Sequence, residues 1–286
     1  MKYIITIGNF DGLHKGHQEI IKKTKNMADD LKVKSRLITF KSHTRSLDSL
    51  ILSPEDKLSM IKAMGIDEVV ELDFSEVKSM SPKEFLDAYF EDARGIIVGE
   101  DFRFGQNRAG SSQDLVDYGL SKDIEVKIIK DLYSEDGKIS STHIRDLLEE
   151  GQVHKARELL TYDFFVKSKV EHGYRRGETL GFKTANINWP DHIVKVKYGV
   201  YYTNFEVDGQ IYDAMTMVGV AKTFNKDFSC ESYIFDFDKD IYDKEVILYF
   251  KDFMRENKKF DSKEDLILQL KKDKIKTLEL ASLYDK

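Results

Sequence analysis

The run Gly8-Asn9-Phe10-Asp11-Gly12-Leu13-His14-Lys15-Gly16-His17 constrains this chain more than any other stretch. It follows Tyr3-Ile4-Ile5-Thr6-Ile7, an apolar, β-branched segment bounded by glycine, which reads as a buried parallel strand. Gln18-Glu19-Ile20-Ile21-Lys22-Lys23-Thr24 comes next, with apolar and charged residues at helical spacing. A strand-to-helix turn therefore opens the chain. His14 and His17 lie on one face of the helix's first turn. Free backbone N–H groups and the helix dipole point the same way, so the turn favours anions, phosphate above all. Imidazoles there donate hydrogen bonds to phosphate oxygens and become more cationic when an anion is bound.

With 286 residues the chain has room for two domains, each with its own core. A net charge of −6 provides no basic field for nucleic acid. No apolar run approaches the roughly 18 residues that a membrane span needs. The first strand begins almost at Met1, so no signal peptide is expected. Cys230, the single cysteine, excludes an internal disulfide and a cysteine-based zinc site. The expectation is a soluble cytoplasmic protein with neither nucleic acid nor membrane as partner.

Strand and helix signals alternate through the first half. Strands are expected at 33–40, 67–72, 95–99 and 124–129, and helices at 54–64, 111–120 and from Ser81 onward. Ser53 caps the first of these helices, with Pro54 at its first position, and Ser81-Pro82-Lys83-Glu84 has capping-box character. This is the pattern of a doubly wound α/β domain on a parallel sheet, whose ligands sit at the carboxyl ends of the strands. Two further stretches fall at such ends. In Gly99-Glu100-Asp101-Phe102-Arg103-Phe104-Gly105, Asp101 and Arg103 suit ligand hydroxyls or phosphate, and Phe102 and Phe104 suit a flat ring. In Ile139-Ser140-Ser141-Thr142-His143-Ile144-Arg145, Thr142 and Arg145 sit three apart, offering hydroxyl, backbone N–H and guanidinium from one turn. Helix 147–160 leads into a strand at 164–170, and the domain boundary is expected near residue 162.

Periodicity then changes. Strand-like runs at 164–170, 199–207, 211–220, 231–237 and 245–253 follow without helices between them, and Asp208-Gly209 is a hairpin signal. A terminal amphipathic helix covers 262–280. The description is a small antiparallel β-barrel closed by a helix. If 182–187 is extended, Thr184 and Asn186 share a face and present two hard oxygens suited to Mg²⁺.

Gly8–His17 resembles the nucleotidyltransferase signature, and in its G-N-F-D-G-x-H-x-G-H form it is similar to the prokaryotic bifunctional riboflavin kinase/FAD synthetase family. Gly99–Gly105 resembles that family's second signature, and Ser140–Arg145 its carboxyl-side phosphate motif. The resemblance implies that Gly8, Asn9, Phe10, Asp11 and Gly12, with Ser141 and Thr142, bind ATP. It implies that His14, His17 and Arg145 are catalytic, and that Asp101, Phe102, Arg103 and Phe104 shape the nucleotide and flavin site. In the barrel, 177–186 resembles the riboflavin kinase segment that supplies metal and phosphate contacts through Thr184 and Asn186. Cys230–Phe237 resembles the segment holding the catalytic base, which would be Glu231. ATP, riboflavin and FMN are the implied substrates and Mg²⁺ the implied cofactor.

Several positions depart from the family pattern. Relatives usually carry F-x-P-H-P where this chain has Phe40-Lys41-Ser42-His43-Thr44. Glu178 stands where relatives have arginine, Lys183 replaces a proline, and Met217, Ala221 and Lys222 replace asparagine, arginine and proline. Three alternatives accompany the bifunctional reading. They are a monofunctional FAD synthetase with a degenerate kinase domain, a non-catalytic flavin-binding regulator, and a nucleotidyltransferase for another phosphate ester.

Overall fold

The computed structural model describes residues 2–41, 49–171, 184–220 and 228–284. The chain divides into two compact units, Met1–His143 and Ile144–Lys286.

The first unit is built on five strands: β1 (Tyr3–Ile7), β2 (Lys34–Phe40), β3 (Glu68–Leu72), β4 (Ala93–Gly99) and β7 (Glu125–Ile129), in the order β3-β2-β1-β4-β7. All pairings are parallel. Every residue of β1 is buried, as its unbroken apolar run requires of a strand covered on both faces. Helix α1 (Lys15–Asp30) buries Ile21, Met27 and Ala28; α2 (Pro54–Ala63) starts at the Ser53 cap with Pro54 in its first turn. The short α3 (Phe74–Val77) precedes α4 (Pro82–Phe90), which carries the expected Ser81–Glu84 capping box, and α5 (Ser112–Lys122) leads into β7. Two small hairpins complete the unit: β5 (Arg103–Phe104) with β6 (Gly110–Ser111), and β8 (Tyr133–Ser134) with β9 (Gly137–Lys138). The strand order turns outward in both directions from β1, so Gly8–His17 leaves the sheet at its topological switch point.

The stretch expected as one helix over 147–160 is two. Helix α6 (Ser141–Glu149) and α7 (Val153–Leu160) are separated at Gly151, whose φ of +80° no helix accommodates. A side chain at Gly151 would also strike Lys197 and Phe253 at 3.2 Å. Beyond α7 the chain forms a closed barrel of β10 (Phe165–Glu171), β11 (Thr184–Ile187), β12 (Gly199–Val207), β13 (Gln210–Gly219), β14 (Ser229–Ile234) and β15 (Glu245–Arg255). Asp208 and Gly209 both have positive φ, the two-residue turn their dipeptide specifies. On the outer barrel surface, α8 (Lys263–Tyr284) packs Leu270 with Val200, Met215 and Phe235.

Two candidate active sites

Around the opening motif the backbone does most of the shaping. Phe10 (φ +53°), Gly12 (φ +74°) and Leu13 (φ +39°) take left-handed conformations in succession, which folds the turn tightly enough to bury Phe10 and Leu13. A Cβ at Gly12 would lie 2.8 Å from Ile51 Cδ1. The Asp11 carboxylate is buried, and its Oδ1 accepts from the amides of Ile51 (3.0 Å) and Leu52 (3.4 Å). Gly8 N–H donates to Ile38 O at 3.1 Å, and Asn9 O accepts from Thr39 Oγ1 at 3.1 Å. Of the five residues Gly8 to Gly12, the buried Phe10 and Asp11 side chains thus face inward as supports. Their route to a ligand is the backbone.

His14 is the N-cap of α1 and its Nδ1 accepts from His17 N–H at 3.4 Å. The imidazole of His14 is folded over the first turn and stacks on that of His17, centroids 3.7 Å apart and planes 20° from parallel. Gly16 permits this, since a Cβ there would lie 3.2 Å from His14 Cε1 and 3.3 Å from Nδ1. Phe10 meets His17 edge-on at 5.3 Å. Burial drives the His14 pKa down to about 4, with Asp101 opposing and Lys138 assisting. His17 is held well below the usual histidine range, by burial first and then by His14 and Lys57. Both imidazoles are therefore neutral near pH 7. With Nδ1 committed as the cap acceptor, His14 carries its proton on Nε2 and remains a donor.

Gly99–Gly105 and the start of the Ser140–Arg145 stretch, through His143, lie at the same end of the first unit. Ser141 Oγ donates to Asp11 O at 2.8 Å, fastening the start of α6 to the motif, while Ser140 Oγ caps α6 by accepting from His143 N–H at 3.2 Å. Thr142 is exposed, and Arg145 follows three residues later on the same helical face. Asp101 pairs with Lys138 Nζ at 2.8 Å, and Lys138 also reaches Asp131 at 2.5 Å. Arg103 is exposed and turns back on its own chain, donating to Phe102 O at 2.8 Å. Phe104 is buried against Phe85 and stacked on the half-buried Phe102, 5.5 Å between centroids. Of the two rings, Phe102 has the open face and Phe104 is its backing.

Sequence reasoning missed Lys57 and Lys138. Lys57 lies in α2 amid charges that read as a solvated helix start, and Lys138 in a hairpin too short to show a strand pattern. No local signal marks either.

In the second unit, Thr184 and Asn186 do share a face of β11, and β14 sets Glu231 opposite Asn186. Thr184 Oγ1 donates to Glu231 Oε2 at 3.4 Å. All three are half-buried, while their neighbours Ala185, Cys230 and Ser232 point into the barrel. Hydroxyl, amide oxygen and carboxylate form a set of hard oxygens on one outward face, a donor chemistry that fits Mg²⁺. Among the described residues no cluster of three or more His, Cys, Asp and Glu side chains offers a metal site. Met217 stands in the same row, paired with Glu231 across β13. His43, Glu178, Lys183, Ala221 and Lys222 lie outside the described residues.

Comparison with known proteins gives the same two-part division. A family model described as FAD synthetase matches residues 1–143 and one described as riboflavin kinase matches 160–281. A bifunctional riboflavin kinase/FMN adenylyltransferase of Listeria monocytogenes is 35% identical over 94% of this chain and 90% of its own length. The Bacillus subtilis protein of the same name is 31% identical, covering 96% and 90%. A solved Streptococcus pneumoniae structure named a macrolide-efflux protein superposes with a TM-score of 0.88 at 35% identity, covering 96% of this chain and 94% of that one. Among the described residues, no helix here is long and apolar enough to cross a membrane.

Proposed function

The chain belongs to the bifunctional riboflavin kinase/FMN adenylyltransferase family, and from that membership we propose that it converts riboflavin to FMN and FMN to FAD with ATP. Adenylyl transfer belongs to the first domain, 1–162, and riboflavin phosphorylation to the second, 163–286. The observation that carries the first assignment is the stacked histidine pair at the start of α1, on a turn at the switch point of a parallel sheet. In the first reaction an FMN phosphate oxygen attacks the α-phosphorus of ATP. The bond from that phosphorus to the oxygen bridging to the β-phosphate breaks, and pyrophosphate leaves. His14, through Nε2–H, and His17 bind the ATP phosphates together with the N–H groups of Lys15 and Gly16 at the start of α1. Thr142 and Arg145 hold them from α6. No covalent enzyme intermediate is needed; positioning and stabilisation of charge on the departing pyrophosphate carry the rate. Asp101, Phe102 and Arg103 line the flavin and nucleotide side, with Phe104 as the wall behind Phe102.

In the second reaction Glu231 takes the proton of the ribityl 5′-hydroxyl as that oxygen attacks the γ-phosphorus of ATP, and ADP leaves. The placement of Glu231 beside Thr184, whose Oγ1 donates to its Oε2 at 3.4 Å, and opposite Asn186 supports this role. Thr184 and Asn186 would hold Mg²⁺, which supplies charge neutralisation for the phosphates when bound. We assign the protein to the cytoplasm, with no nucleic acid or membrane partner.

Chromatography of flavins tests both assignments. The purified chain, with Mg²⁺ and ATP, receives either riboflavin or FMN. The expected result is FAD from both. FAD from FMN alone would leave a monofunctional FAD synthetase, and FAD from neither would overturn the reading.

A further inference from the structure

Behind the histidine pair lies a charge that the reaction as written does not use. Lys57 sits in the second turn of α2, yet it is only 8% exposed. Its Nζ donates to Thr39 Oγ1 at 3.0 Å, Phe40 O at 3.1 Å and Asn9 O at 3.3 Å. These three acceptors use all three ammonium protons. All lie where β1 and β2 end: Asn9 is two residues beyond Ile7, and Phe40 is the last residue of β2. Among the described residues no carboxylate comes within ion-pair distance of Lys57. Asp11 and Glu71 act on it from farther away, and burial is the largest influence, lowering its pKa. Asp11 Oδ1 is already taken by the amides of Ile51 and Leu52.

A buried ammonium whose acceptors are all neutral costs far more than an apolar side chain of the same length. Methionine would remove that cost but would leave these acceptors without the Lys57 donor, so the position supplies both a tie between the strand ends and a charge. The charge is felt across the motif, since Lys57 helps to hold His17 neutral. Its hydrogen bond to Asn9 O sets this cation against the turn that leads into α1.

We propose that Lys57 is a positioning residue for adenylyl transfer: its buried ammonium ties Asn9 to the ends of β1 and β2 and places behind the histidines a positive charge that no carboxylate among the described residues pairs directly, matched to the phosphates of ATP. This rests on reading the first unit as the adenylyltransferase. The cation would supply positive charge to a bound phosphate that the two neutral imidazoles do not.

The test uses the full chain and three variants, K57Q, K57M and K57R. K57Q keeps donors for the carbonyls but not the charge, K57M keeps neither, and K57R keeps the charge. FAD formation from FMN isolates the first unit's use of ATP, and riboflavin phosphorylation reports the second unit. K57Q is expected to raise the KM for ATP about tenfold and to lower kcat/KM by roughly 10²-fold, the scale of losing one phosphate-clamping charge. K57R, which restores the charge in a bulkier planar group, should recover part of the loss in the KM for ATP, and riboflavin phosphorylation should be unchanged in all three. A purely structural lysine would lower the active fraction and so kcat, leaving the KM for ATP where it was. If K57Q lowers the folded fraction, the split between K57M and K57R decides the same question. A neutral variant with wild-type KM for ATP overturns the inference while wild-type FAD formation stands. A wild-type chain that makes no FAD from FMN overturns this inference and the adenylyltransferase reading together.

Discussion

Gly16→Ala separates the geometry of the histidine pair from the stability of the fold. Gly16 is the second residue of α1 and its φ is ordinary, so alanine meets no backbone penalty. In a helix interior the change would gain up to about 1 kcal/mol. The new Cβ, however, would lie 3.2 Å and 3.3 Å from two ring atoms of His14, closer than ordinary contact. The imidazole must retreat by a few tenths of an ångström, and two interactions have little room to follow. The cap bond from His17 N–H to His14 Nδ1 is already 3.4 Å, and a further stretch breaks it, at a cost of about 1 kcal/mol. The stack on His17, at 3.7 Å, opens or slides. Gain and loss nearly cancel, so the melting temperature should stay within about 3 °C of wild type. Catalysis has no such compensation, because a donor displaced by several tenths of an ångström loses rate on the order of 10- to 10²-fold. Thermal denaturation by circular dichroism and chromatography of FAD formed from FMN measure the two quantities, and riboflavin phosphorylation in the same sample is the internal control. A variant that makes FAD at close to the wild-type rate would refute the claim that His14 acts from its folded-back position. A fall of about 10 °C or more would instead make Gly16 a folding residue.

Three further outcomes follow from the same geometry. Glu231→Gln should slow riboflavin phosphorylation by roughly 10²- to 10⁴-fold while leaving FAD formation from FMN intact; an unchanged kinase rate would remove Glu231 as the base. His14, with its pKa lowered from 6.5 to about 4, makes the ligand-free first unit lose stability as the pH falls through that window, since the unfolded chain takes up a proton that the folded one refuses. The loss approaches about 3 kcal/mol at the acid end, and His14→Asn should flatten the corresponding fall in melting temperature between pH 6.5 and 5. Cys230, whose thiol is buried and pushed up beyond ordinary reactivity, should resist maleimide labelling until the barrel unfolds; rapid labelling of the native chain would contradict its inward orientation on β14.

What the sequence made legible was local chemistry. The Ser53 and Ser81 caps, the Asp208-Gly209 turn and the glycine-punctuated exit from β1 each need only neighbours in the chain, and each is found as read. So is the shared face of Thr184 and Asn186, because a strand's alternation is fixed by its backbone. Tertiary placement was not legible. Phe102 and Phe104 look equivalent two residues apart, yet only the packing of Phe85 makes Phe104 core. Asp101 reads as an open ligand group, but Lys138, 37 residues on, pairs with it. Lys57 and Glu55 look like neighbours on a wet helix start, and only the ends of β1 and β2 distinguish them. The break at Gly151 was hidden because one glycine in an amphipathic run is tolerated as often as it terminates a helix.

The two sites differ in how substitution bears on them, and the difference bears on the barrel's departures from its family. In the first unit the ligand-facing groups depend on side chains that face inward: Asp11 on the amides after Leu50, Phe10 behind His17, Lys57 beneath Asn9. A change in any of these supports shifts a donor. In the second unit Thr184, Asn186 and Glu231 project outward from a ladder held by main-chain hydrogen bonds, which a neighbouring side chain does not alter. Met217 illustrates this. It stands on β13 opposite Glu231 where the family usually has asparagine, and its thioether has no hydrogen to donate to the carboxylate and leaves the register intact. Beside it, Glu231 accepts from Thr184 Oγ1 at 3.4 Å. At this position the departure from the family pattern is compatible with a working general base.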